Sequence, residues 1–123
     1  MSESTRTPGK TTIAPNVLLT IARLATLDVE GVSHMSELQG GVNRIFQRGY
    51  EEGVRIRIED DRVYADLYVV LESEINVREV SRIIQTEVSR AITEMVGMEV
   101  GRVNVHIEDI VYKNEKPSEA DSE

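Results

Sequence analysis

The stretch Arg62–Glu72, R-V-Y-A-D-L-Y-V-V-L-E, alternates with a period of two from end to end. Val63, Ala65, Leu67, Val69 and Leu71 share one side, and Tyr64, Asp66, Tyr68 and Val70 share the other. Successive side chains of a strand point to opposite faces, so this run predicts a long β-strand with one wholly apolar face. Such a face has to be covered by other parts of the chain. With 123 residues and 40% hydrophobic content, the chain can build one domain around a single two-layer core. Aromatic residues are only 4%, so that core is expected to be aliphatic.

The elements around this strand can be taken in order. Residues 1–12 are polar and contain Pro8-Gly9, which predicts a disordered tail. A helix is expected from Pro15, a residue tolerated at the first helical position. Its apolar stripe is Val17, Ile21, Leu24 and Ala25, with Leu18 and Ala22 beside it, and Gly31 supplies its stop. Val32–Met35 reads as a short strand. Ser36–Glu52 carries the least pattern: Gly40-Gly41 breaks the chain, Val42–Gln47 suits one helical turn, and Gly49 and Gly53 bracket Tyr50-Glu51-Glu52. Gly40-Gly41 lacks the Lys-Ser/Thr and the preceding strand of a phosphate-cradling loop, so it reads as plain loop.

Val54–Glu59 alternates again, with Val54, Ile56 and Ile58 inward and Arg55 and Arg57 outward. Asp60-Asp61 joins it to the central strand as a hairpin. Asn76, with Glu79 three residues on, predicts a helix start, and Gly97 its stop. Val77, Val80, Ile84, Val88, Ala91 and Met95 form its face, widened by Ile83 and Ile92. Arg102–Tyr112 is the last strand, with Val103, Val105 and Ile107 inward and Asn104, His106 and Glu108 outward. Asp109 falls on the inward phase, so either the strand bulges there or the core ends. Residues 113–123 are a charged tail, expected to be disordered. A helical crossover precedes the last strand, so it should run parallel to the central one; its neighbour in the sheet is left open. The expected fold class is α+β: a two-layer sandwich with a small, mainly antiparallel sheet and two long helices on one face, spanning residues 13–112.

Charge narrows the function classes. The net charge is −8, of which residues 1–12 contribute +1 and residues 113–123 contribute −2, leaving −7 on the domain. A field of that sign repels phosphate backbones and anionic lipid heads, so neither nucleic acid nor direct membrane insertion is expected. All three lysines lie in the tails, and the domain's cations are all Arg, the residue better suited to fixed carboxylate pairs. The chain has no Cys, which excludes disulfides and thiolate metal sites and fits a reducing compartment. Its first ten residues do not read as a signal peptide, and no run approaches a membrane span, so a cytoplasmic location is expected.

Three stretches together carry a family pattern: I-A-R-L-A-T-L-D-V-E-G-V at Ile21–Val32, G-V-R-I-R-I-E-D-D-R-V-Y-A-D-L-Y-V-V-L-E at Gly53–Glu72, and N-V-R-E-V-S-R-I-I-Q at Asn76–Gln85 continued by V-G-R-V-N-V-H-I-E-D-I-V-Y at Val100–Tyr112. In these the chain resembles the bacterial alkaline-shock-protein family, the envelope stress response proteins. The likeness covers about Ile13–Tyr112, and the Asp60-Asp61 turn departs from the Gly-containing turn expected there. The resemblance implies a cytoplasmic protein that forms assemblies and meets the cell envelope through protein partners. It implies no catalytic residues and no cofactor.

The residues themselves agree. Asp60-Asp61 and Glu51-Glu52 read as solvated turn acids, and His106 near Glu108 lacks a third ligand or a nucleophile. No enzyme activity, metal or cofactor is expected. The candidate site is an interaction face on the outer side of the sheet, made of Arg55, Arg57, Tyr64, Tyr68, Val70, His106, Ile110 and Tyr112, with Asp66, Asn104 and Glu108 among them. Tyr and Arg are enriched at interfaces, and tyrosine also simply favours strands. The expected role is a non-enzymatic, assembly-forming adaptor or scaffold, with self-association and a membrane-anchored protein partner. Two other readings stand beside it. One is an RNA-binding module using the open sheet, against which stand the missing RNP-type run and the negative charge. The other is a small-molecule or lipid-metabolism regulator with a pocket between helix and sheet.

Overall fold

A computed structural model describes residues 8–37, 50–51 and 53–112. Among the described residues two helices and five strands follow in the order α1 (Pro15–Leu27), β1 (Val32–Met35), β2 (Tyr50–Glu51), β3 (Val54–Glu59), β4 (Arg62–Glu72), α2 (Val77–Val96) and β5 (Glu99–Val111). The fold class is α+β, with both helices packed on the apolar face of one sheet. Residues 8–12 are exposed and lie outside helix and strand. The first seven residues of the predicted tail 1–12, the predicted tail 113–123, the Gly40-Gly41 break and the turn at 42–47 lie outside the described residues.

β4 is paired on both edges. β5 runs parallel to it along its whole length, from Arg62 beside Glu99 to Glu72 beside Val111. The other edge is shared: β3 pairs antiparallel with Arg62–Leu67, and β1 pairs antiparallel with Val69–Leu71. Between them, the Tyr68 N–H donates to the Gly53 carbonyl and the Tyr68 carbonyl accepts from Ser36 N–H, both at 2.8 Å. Gly53 holds this junction. Its φ is +77°, and a Cβ there would lie 2.8 Å from Met35 Cβ and 2.9 Å from the Tyr68 and Ser36 carbonyl oxygens. No side chain fits that space. The short β1, readable from sequence, thus becomes a continuation of the β3 edge, and the neighbour left open for β5 is β4 itself.

The hairpin turn is Asp60-Asp61, with φ of +51° and +63°. Two left-handed residues are what a two-residue hairpin of the right twist requires, and aspartate tolerates that conformation better than most residues. The inward row Val63, Ala65, Leu67, Val69 and Leu71 is buried throughout. Ile58, also expected inward, remains half exposed near the hairpin tip.

Both helices turn differently from the expected stripes. In α1 the buried residues are Leu18, Leu19, Ile21, Ala22 and Thr26, while Val17 and Leu24 are exposed. The buried arc is rotated by roughly one residue, ~100°. Apolar residues run nearly all round this helix, so their spacing does not select a face. Thr26 is buried without penalty because its hydroxyl donates to the Ala22 carbonyl at 2.7 Å. The helix stops at Leu27, before Gly31, and the turn after it feeds β1. In α2 the buried line is Val80, Ile84, Val88 and Ile92, a strict four-residue step. Val77, Ile83 and Met95 stay exposed; among the described residues nothing buries Met95, which is 69% exposed. The ends of α2 are as expected: the Asn76 side chain accepts from Glu79 N–H at 3.0 Å, and Gly97 closes the helix at φ +73°.

Val69→Asp places an unpaired carboxylate in the centre of the core and should cost ~3 kcal/mol or more, a large part of the stability of a domain this size. Thermal unfolding followed by circular dichroism should show the loss. Gly53→Ala should also lower the melting temperature, although the position carries no side chain at all, because the β1–β3 junction closes only around glycine.

Candidate functional site

The outer face of the sheet is built row by row by strand pairing. Arg57, Tyr64 and Arg102 lie side by side; next come Arg55, Asp66 and Asn104; then Tyr68 and His106; then His34, Val70 and Asp109. Neighbouring strands lie about 4.8 Å apart, so side chains in one row touch.

Two irregularities in β5 decide which side chains join this face. At the first, Val63 pairs with Val100 and Tyr64 with Arg102, leaving Gly101 as the extra residue. The Tyr64 ring lies against it: a Cβ on Gly101 would be 2.5 Å from Tyr64 Cζ. The Arg57 guanidinium sits over the same ring, 4.8 Å from its centroid, and its Nε donates to Glu59 at 2.8 Å. A contact of this kind contributes about 0.5–1 kcal/mol at an exposed position.

At the second, Val69 pairs with Ile107 and Val70 with Asp109, leaving Glu108 as the extra residue. Of the two outcomes open at Asp109, the bulge is the one realised. An inserted residue shifts the alternation by one. Asp109 moves to the outer row, and Ile110, paired with Leu71, moves to the helix side of the sheet. Tyr112 lies just beyond the end of β5 and is exposed. Ile110 therefore does not stand in the row with Tyr64 and Tyr68, and Tyr112 lies past the end of β5; their expected place on the outer face required the alternation to run on through Asp109. Val70 has the expected outward phase but is only 6% exposed, flanked by His34 and Asp109.

The centre of the face is a cluster on Asp66. Its Oδ1 accepts from Asn104 Nδ2 at 3.0 Å and meets His106 Nε2 at 3.1 Å. The His106 ring stacks on Tyr68, with centroids 4.4 Å apart and planes 11° from parallel. The carboxylate beside His106 is thus Asp66, on the neighbouring strand, and not Glu108 two residues along its own. Partial burial resists ionisation of Asp66, but the hydrogen bonds from His106 and Asn104 and the nearby charges of His106 and Arg55 outweigh it and hold its pKa below the usual value. Arg62 and Glu99 close the face at the hairpin end, 3.1 Å apart. Arg55, Arg57, Tyr64, Tyr68 and His106 are therefore brought together, with Asp66 and Asn104 as their ordering centre. The Asp66–Asn104 contact depends on the parallel register of β4 and β5, for which sequence carries no direct signal.

Among the described residues no group of three His, Cys, Asp or Glu side chains is placed to hold a metal ion. Two of the open clefts among the described residues lie elsewhere. One, bordered by Arg23, Leu27, His34, Met35, Glu37 and Val70, flanks β1. The other runs between the helices along Ile21, Leu24, Ala25, Ala91 and Met95.

The model of the alkaline shock protein 23 family, described by a cell envelope-related function, matches residues 3–112 of this chain. The uncharacterized protein Spy1535 of Streptococcus pyogenes serotype M6 is 36% identical over 113 residues, covering 89% of this chain and 85% of that one. The uncharacterized protein YqhY of Bacillus subtilis is 28% identical over 106 residues, covering 85% and 78%. Among solved structures, the MamM CTD in its copper form is similar with a TM-score of 0.54 and 13% sequence identity, covering 82% of this chain and 90% of that chain. At that identity the likeness is one of fold.

The lowered pKa of Asp66 has a consequence for stability. Its contribution is present above the ordinary carboxylate range and is lost as pH falls through the lowered, folded-state value. Asp66→Asn should therefore be less stable than the parent at neutral pH, and the gap should shrink steadily in acid. Urea unfolding at a series of pH values measures it, and a gap independent of pH would separate Asp66 from the effect.

Proposed function

The chain belongs to the alkaline shock protein family, whose function is cell envelope-related, and from that premise we propose that it is a non-enzymatic envelope stress response protein, an assembly-forming adaptor on the cytoplasmic side of the envelope. The observation that carries this reading is the outer sheet face. No described element covers it, yet its side chains are already held: Tyr68 on His106, Tyr64 under Arg57, Asp66 between Asn104 and His106. A face whose rotamers are fixed in advance loses little side-chain entropy when a partner covers it. Tyrosine and arginine in such a setting are the residues that anchor protein contacts.

Attachment to the envelope then runs through protein. Among the described residues no helix is long and apolar enough to cross a membrane. The net charge of −8 works against binding to anionic lipid. The partners of this reading are further copies of the chain and a membrane-anchored protein, with the sheet face around Tyr64 and Tyr68 as one contact and an open strand edge as a second route.

Tyr68→Asp should keep the fold, because Tyr68 is on the outer face, and should weaken self-association or capture of the membrane-anchored partner. Val69→Asp, its inward neighbour, should lose both by unfolding. Sedimentation velocity on the two variants, with co-sedimentation on anionic liposomes as control, makes the comparison. Undiminished assembly and capture by a folded Tyr68→Asp chain would remove the sheet face from the proposal, and strong liposome binding by the purified protein would remove the adaptor.

A further inference from the structure

β5 is the longest strand, and among the described residues only one of its edges is paired. Which of its groups face the open edge can be worked out. Gln85 Nε2 on α2 donates to the Val103 carbonyl at 3.1 Å, so Val103 points away from β4. Alternate residues of a strand direct their N–H and C=O to the same edge. Val103, Val105 and Ile107 therefore present their backbone groups outward, while Arg102, Asn104 and His106 bond to β4. The two bulges, at Gly101 and Glu108, bracket this regular segment.

We propose that the open edge of β5 is where a second copy of this chain joins, antiparallel, about a two-fold axis at Val105. The inference rests on the assembly reading above and names the surface that begins the assembly. In this register Val105 faces Val105 of the second copy, and Val103 faces Ile107, so the outward backbone groups exchange about six hydrogen bonds. On the inner face every pair is aliphatic. On the outer face Asn104 falls beside His106, and Arg102 falls opposite Glu108, twice by symmetry. Both are exposed, and neither has an ion-pair partner among the described residues. Opposite charges across a strand pair are favourable and like charges are not.

Other registers lack this match. A slip of two residues puts Arg102 opposite His106, or Glu108 opposite Asn104. The segment is thus complementary to itself in one alignment, as a two-fold contact requires. The helix flank above the edge carries Ser81, Gln85 and Ser89, at the four-residue spacing of one side and without charge. The Val103 carbonyl has a second lone pair for the incoming strand even while Gln85 holds the first. The axis is perpendicular to the sheet, so the outer faces of both copies point the same way. The dimer then presents one continuous sheet with two Asp66 clusters on it, open to further partners.

The test is a charge swap on the full chain, read by sedimentation equilibrium. Arg102→Glu and Glu108→Arg should each weaken the dimer by about tenfold or more, since each creates two like-charge pairs. Combining them should restore parental affinity. Melting temperatures should stay near the parent, because both side chains are exposed. Hydrogen exchange supplies the second readout: the amides of Val103, Val105 and Ile107 should gain protection as the parent chain is concentrated. A parent that dimerises while both folded single variants dimerise equally well overturns the edge proposal alone. Failure of the double variant to recover overturns the register. A parent that remains monomeric at high concentration overturns the edge and the assembly reading together.

Discussion

β4 donates and accepts hydrogen bonds along both edges, to β5 on one side and to β3 and then β1 on the other. Its buried row of Val63, Ala65, Leu67, Val69 and Leu71 is the floor on which both helices rest. Fully burying an aliphatic side chain is worth about 1.5–3 kcal/mol, so this row and the residues it covers dominate the favourable side of folding. The rest of the architecture is placed relative to that strand. Because β4 is longer than either antiparallel neighbour on its second edge, two strands must share that edge, and the chain closes the joint with Gly53.

The two bulges of β5 do for the outer face what Gly53 does for the edge. Gly101 makes room for the Tyr64 ring, and with it for the Arg57 contact above. Glu108 resets the alternation, so that Asp109 joins the outer face and Ile110 leaves it. Both are one-residue insertions, and both change which side chains are neighbours without changing the strand as an element. Between them lies the segment whose open edge matches itself.

The outer face combines order with exposure. Asp66 is 19% exposed and its partners hold its pKa below the ordinary carboxylate value, whereas His106, which bridges it to Tyr68, is 42% exposed. A histidine and carboxylate without a nucleophile or a third ligand are better suited to holding neighbouring rings in place than to chemistry.

Strong local periodicity let the sequence determine much by itself. The alternation of Val54–Glu59 and Arg62–Glu72, the Asp60-Asp61 turn, the Asn76 cap and the Gly97 stop are short-range features, set by backbone sterics and nearest hydrogen bonds. The α+β class follows from strands with one apolar face beside two amphipathic helices. Tertiary structure alone decided the rest. The face that α1 buries was open because apolar residues surround that helix, and packing against the sheet and α2 chose Leu18, Ala22 and Thr26 over Val17 and Leu24. The meeting of Asp66 with Asn104 and His106 required the parallel register of β4 and β5. That register depends on a pairing between residues nearly forty positions apart, and no local pattern of the chain encodes it.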